Sequence, residues 1–218
     1  MRPLIAHDLR VATRRAAWPI ALGLHLVAAT LFVAVWGPTG GVSLWLAPLL
    51  AQWVAADRIL VAVLLTWLVT PLFAPGADVD LVGWSGVTGL PVRRLVVARA
   101  AAAMTLAVVL TLSAAPITVA AAQMSAQPIA ALLAASLELT VFALLAVGLT
   151  AGASVVWRHQ LAVWCTGMAL TAVAAFGVRL LSPGAPRIAA CAVIAIAGIA
   201  AAAGTATNRW TWLEETRL

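Results

Sequence analysis

Residues 129–157, IAALLAASLELTVFALLAVGLTAGASVVW, hold a single charged side chain, Glu138, in an otherwise unbroken apolar run. An α-helix rises about 1.5 Å per residue and a hydrocarbon core is about 30 Å thick, so roughly 20 apolar residues make a span. This stretch exceeds that length and is expected to cross a bilayer with tilt or to project from it. The same texture recurs on both sides of it: of 218 residues, 64% are apolar and 9% charged. In water such a chain would expose far more apolar surface than a small domain can cover. The expected fold is an all-α polytopic membrane protein, with an N-terminal amphipathic elbow helix over 1–16, six transmembrane helices over 17–207 and a polar tail over 208–218.

Within residues 1–16, Ile5, Leu9, Ala12 and Ala16 share one helical face, opposite His7, Arg10 and Arg14. That pattern suits a helix lying in the membrane interface, and Trp18-Pro19 permits a change of direction after it. The first span, about Trp18 to Trp36, has a tryptophan at each end, as interfacial anchoring favours, and no small-residue cleavage site marks it as a signal peptide. Gly37-Pro38-Thr39-Gly40-Gly41 breaks it. Residues 42–56 and 59–73 are both apolar and are separated only by Asp57-Arg58. As one straight helix they would run about 48 Å, too long for the hydrocarbon core. The expectation is therefore a helix on or dipping into the outer surface over 42–56, followed by a second span from about Arg58 to Ala74. The remaining spans are read as Ala100 to Gln123, Ile129 to Trp157, Gln160 to Val178 and Arg187 to Thr207.

The 13 arginines, with no lysine, face 7 acidic residues and give a net charge of +6. With the N-terminus inside, cytoplasmic segments hold Arg2, Arg10, Arg14, Arg15, Arg93, Arg94, Arg99, Arg158, Arg209 and Arg217, leaving only Arg58, Arg179 and Arg187 outside. The positive-inside rule prefers that orientation, with both termini cytoplasmic in an inner membrane. Arginines beside span ends meet anionic headgroups, so the basic balance points to the bilayer and not to nucleic acid.

The missing lysine excludes a P-loop, which needs that residue to reach the β- and γ-phosphates. No catalytic, metal-ligating or cofactor-binding constellation is legible either. His7, His25 and His159 are far apart in sequence, and Ser113 and Ser154 lack a nucleophile-elbow context. Cys165 and Cys191 sit inside apolar runs, where free cysteine behaves as a small hydrophobe. Glu138 lies about 14 Å along its span, at a depth where ionisable groups usually face the bundle interior. It is either a polar contact in a substrate path or a protonated acid hydrogen-bonded between helices, with His25 at comparable depth as a candidate partner. Gly148 and Gly152 stand in G-x-x-x-G register for close helix packing.

Residues 75–99, PGADVDLVGWSGVTGLPVRRLVVAR, form the longest stretch of mixed polarity. Asp78 and Asp80 precede Leu81, Val82 and Trp84, and Arg93-Arg94 close the segment, a charge order that suits a short helix by the dipole rule although Gly83 and Gly86 weaken it. It reads either as a partner-docking element or as a solvated loop with stop-transfer arginines.

With its elbow helix, six spans and Leu90-Pro91-Val92-Arg93-Arg94-Leu95-Val96 in the loop between spans two and three, the chain resembles the membrane subunits of type-2 ABC exporters. The resemblance covers the topology of nearly the whole chain, but residue identity only in this loop. It implies that Asp78, Asp80, Leu81, Val82, Trp84, Arg93 and Arg94 belong to a coupling loop docking on a separate ATP-binding subunit. That partner would hold ATP and Mg, and a second permease copy or a sister permease would complete the pathway. The family's Glu-x-Gly has only Asp80 and Gly83, differently spaced, as its nearest equivalents here. Short outer loops and few charges in the spans suit a hydrophobic or amphipathic cargo. The rival expectations are a secondary transporter or channel, which would place several ionisable residues at the midplane, and a non-transporting scaffold subunit.

Overall fold

The computed structural model describes residues 2–36, 49–73, 89, 91–124, 127–157, 159–182 and 184–215. Among the described residues every regular element is an α-helix: α1 (Arg2–Arg14), α2 (Ala17–Trp36), α3 (Leu49–Phe73), α4 (Val92–Ser113), α5 (Ala115–Met124), α6 (Ile129–Val156), α7 (Gln160–Arg179) and α8 (Ala185–Glu215). Six stretches are long and apolar enough to cross a membrane: Ala17–Val35, Ala51–Phe73, Val92–Met124, Ile129–Val156, Gln160–Val178 and Ala185–Ala206.

The burial pattern says what surrounds these helices. On α2, Ile20, Leu24, Val27, Leu31 and Val35 are exposed along one face, while Ala21, His25 and Ala29 form the buried stripe. Large apolar side chains outside and polar groups inside reverse the arrangement that water selects, and suit a chain solvated by hydrocarbon. The buried hydroxyls agree. Thr66, Thr70, Thr111, Thr150 and Thr171 each donate to the carbonyl four residues earlier in their own helix, satisfying the hydroxyl without water. The fold class is that of a multi-pass α-helical membrane protein.

Helix α6 lies at the centre, packed on α3, α4, α7 and α8. Its closest neighbour is α8. A Cβ added at Gly148 would meet the Ala195 carbonyl oxygen at 2.5 Å, and one added at Gly198 would meet the Gly148 carbonyl carbon at 2.6 Å. Two backbones this close leave no room for any side chain, so the glycines set the approach. Gly152 is less constrained, its hypothetical Cβ lying 3.5 Å from Gly198. The principal core joins Val61, Leu65 and Val69 of α3 to Leu106 and Leu110 of α4 and Ala146 and Val147 of α6.

Several boundaries differ from the sequence reading. Residues 49–56 are the first turns of the same helix as 57–73, so Asp57-Arg58 lies within α3 and is not a loop. The described helix, Leu49–Phe73, is about 37 Å long at about 1.5 Å per residue. The third span begins at Val92, which places Pro91 at the N-cap, Arg93 and Arg94 in the first turn of α4 and Arg99 inside the helix. Gly89, at φ 65°, takes the left-handed conformation that glycine favours just before that start. The same span is interrupted at Ala114, where Pro116 lacks an N–H and would crowd the Leu112 carbonyl in a continuous helix. Helix α8 runs on through most of the expected polar tail, to Glu215.

The amphipathic N-terminal helix turns at Arg15-Ala16 into α2. Leu4, Leu9 and Ala12 pack on the principal core, whereas His7, Arg10 and Arg14 are exposed. Asp8 Oδ2 lies 4.0 Å from Arg99 Nε, and Arg99 Nη1 donates to the Leu72 carbonyl oxygen at 3.2 Å. One buried arginine therefore joins α1, the carbonyl end of α3 and α4, with its positive charge at the negative end of the α3 dipole.

Candidate functional site

Two polar clusters grow from adjacent residues of α3. Trp53, Asp57, Val61 and Leu65 recur every fourth residue on the core face, which carries Asp57 inward toward α2 and α4. Arg58, about 100° further around the helix, turns instead toward α6 and α8.

In the first cluster His25 and Asp57 are both 0% exposed. His25 Nε2 lies 2.6 Å from Asp57 Oδ1, and His25 Nδ1 lies 3.2 Å from Ser113 Oγ. The hydroxyl of Ser113 donates its one hydrogen to the Leu110 carbonyl oxygen at 2.6 Å. It can only accept from the imidazole, so His25 Nδ1 carries a hydrogen. Two states remain for the short contact: an imidazolium donating to a carboxylate, or a neutral imidazole accepting from a carboxylic acid. Each holds one proton between Nε2 and Oδ1 and leaves the pair neutral overall. Asp57 Oδ2 is buried with no hydrogen-bond partner among the described residues. Ser, His and Asp are the members of a hydrolytic triad, but here the serine hydrogen is committed to a backbone carbonyl and the facing ring nitrogen is itself a donor. The arrangement has no base for the serine and does not make a nucleophile.

The second cluster centres on Glu138 of α6. Its Oε1 is in direct ion-pair contact with Arg58 Nη2 and lies 3.7 Å from Arg187 Nη1 of α8. Two guanidiniums on one carboxylate leave a formal excess of +1. Arg58 Nε is buried and has no hydrogen-bond partner among the described residues. Glu138, read from the sequence as either a polar contact in a substrate path or an acid hydrogen-bonded between helices, is met by two guanidiniums that converge on it from neighbouring helices. His25 is not its partner; Asp57 takes that ring instead.

Beside the second cluster lies a groove of about 330 Å³ between α3 and α7. Arg58 is the one charged residue in its wall, Phe142 of α6 closes it, and the remaining walls are apolar. A smaller pocket, lined by Arg58, Glu138, Arg187 and Cys191, shares the Arg58, Phe142 and Ala175 walls with it.

Among the expected site residues, Glu138 and His25 belong to different clusters, and Gly148 and Gly152 pack α6 on α8 of the same chain. Arg93 and Arg94 are exposed at the start of α4. Asp78, Asp80, Leu81, Val82 and Trp84 lie outside the described residues, as do positions 42–48 of the expected outer-surface helix. Sequence reasoning missed Asp57, Arg58, Ser113 and Arg187 as interior polar groups. For Asp57 a signal existed: no glycine or proline falls between Leu49 and Thr70, and Trp53, Asp57, Val61 and Leu65 keep helical spacing across the charged pair. No group of three or more His, Cys, Asp or Glu among the described residues is placed to hold a metal ion.

The fold and these clusters define a multi-pass helical membrane protein with ionisable groups buried between its spans. No protein-family model matches the chain, and neither a curated protein nor a solved structure does.

Proposed function

We propose that this chain is the membrane subunit of an ABC transporter, exporting a hydrophobic or amphipathic substrate with energy from ATP hydrolysed on a separate subunit. The observation that carries this reading is the Leu90–Val96 signature at the start of α4, with Arg93 and Arg94 exposed on its first turn and α1 packed alongside. In this arrangement α1 is the interfacial elbow, both termini are cytoplasmic, and a second copy or sister permease completes the pathway in the inner membrane. The chain binds no cofactor itself, and the partner carries ATP and Mg. The positive-inside bias then puts both polar clusters in the outer half of the bilayer, because α3, α6 and α8 all start from the outer side.

Trp84 gives the test. An aromatic anchor central to an interface contributes roughly 2 kcal/mol or more. Trp84→Ala should therefore weaken copurification with the ATP-binding subunit by at least about tenfold, and transport and stimulated ATP hydrolysis should fall together while membrane insertion is unchanged. A Trp84→Ala protein that copurifies and transports as the parent does refutes the docking assignment.

A second reading is favoured by the His25–Asp57 pair: an ion-coupled transporter working alone. A titratable pair held away from water between three helices is the kind of element such proteins use, and His25, Asp57, Arg58, Glu138 and Arg187 all fall within candidate spans. Purified protein in liposomes that moves protons or substrate down an imposed pH gradient, with no ATP-binding subunit present, would favour this reading over the first.

A further inference from the structure

The groove between α3 and α7 combines three properties. It is apolar along its length, with Ile59, Ala62 and Val63 on one wall and Met168 and Ala172 on the other. It opens sideways: Ile59 and Phe176, which form its rims, are 70% and 71% exposed. It also has one polar end, where Arg58 contributes to both the groove and the pocket that holds Glu138 and Arg187.

The charge at that end is incomplete. Glu138 offers one carboxylate to two guanidiniums, and the Arg58 Nε donor is buried without an acceptor among the described residues. An excess guanidinium charge at the end of an apolar groove attracts an anionic oxygen entering along it, and the Arg58 side chain, which lines both the groove and the neighbouring pocket, is placed to meet it. Guanidinium is also the side chain best matched to phosphate or carboxylate oxygens. From Ala55 to Val63 the α3 wall extends about 12 Å, which suits the upper part of an acyl chain.

We infer that this groove is a binding site for an anionic phospholipid, with the acyl chain between α3 and α7 and the headgroup phosphate on Arg58 beside Arg187. The inference rests on the chain spanning a bilayer and not on ATP-driven transport, so its failure leaves the transport reading intact. A groove that opens into hydrocarbon admits a lipid laterally, without passage through water. Net negative headgroups are favoured over zwitterionic ones because the cluster carries an excess positive charge. A charge-assisted hydrogen bond in a partly buried site corresponds to about a tenfold preference.

The test compares phosphatidylglycerol with phosphatidylcholine of identical acyl chains, binding each to the full-length detergent-purified protein and reading retained adducts by native mass spectrometry. The parent should prefer phosphatidylglycerol by about tenfold. Ala172→Phe, which fills the groove and leaves Arg58, Glu138 and Arg187 in place, should lower retention of both lipids. The triple variant Arg58→Gln/Glu138→Gln/Arg187→Gln, which removes the ion pair together with the excess positive charge, should bind both lipids alike. Equal binding of the two lipids by the parent overturns the proposal, as does unchanged retention by Ala172→Phe. A third overturning result is efficient disulfide cross-linking between two copies bearing Ile59→Cys and Phe176→Cys, because a second copy would then cover the groove.

Discussion

Removing the carboxylate of Asp57 should expose how strongly the buried pair holds α2 to α3. His25 and Asp57 are fully buried and 2.6 Å apart, with the far ring nitrogen on Ser113. Breaking a buried ionic or proton-sharing pair by deleting one member costs about 3–5 kcal/mol, since the remaining polar group stays desolvated and unpaired. Asp57→Ala and His25→Ala should each show a loss in that range. The double variant should cost far less than their sum, because it leaves neither group stranded, and the coupling energy should be about 3 kcal/mol. Asp57→Asn separates charge from contact. With His25 Nδ1 donating to Ser113, Nε2 can accept from the amide NH₂, which mimics the neutral state of the pair, and stability should stay within about 1 kcal/mol of the parent. Unfolding in mixed detergent micelles can be followed by tryptophan fluorescence. Trp53 lies one turn before Asp57, donates to Thr118 Oγ1 at 3.0 Å and packs on Phe32 with ring centroids 5.3 Å apart. Single-variant losses below about 1 kcal/mol that simply add would refute the pairing.

Gly148→Ala should lower stability by about 1–3 kcal/mol, because the new methyl meets the α8 backbone and not a movable side chain; Gly152→Ala, with its nearest contact at 3.5 Å, should be close to neutral in the same unfolding assay. Topology has a direct readout: cysteines introduced at Thr39 and Gly86 should react with a membrane-impermeant reagent from opposite faces, Thr39 from outside, and labelling from one face would refute the six-span orientation.

What the sequence determined by itself is the class of fold. Apolar runs about as long as a bilayer is thick leave few alternatives to helices, because a backbone in hydrocarbon must satisfy its own hydrogen bonds. The starts of α6 and α7, and the close-packing role of Gly148, were legible for the same local reasons. The sequence did not determine which charged residues are interior. Asp57-Arg58 has the composition of a turn and Arg187 that of a loop end, and only the packing of α2, α3, α4, α6 and α8 turns these residues into two clusters. Pairing depends on partners 32 and 88 positions away from His25, or on a different helix from Glu138, and no local pattern encodes such distances. A charged group costs several kcal/mol in an apolar interior when alone and far less when a counter-charge is aimed at it, so tertiary structure alone decides whether it is tolerated there.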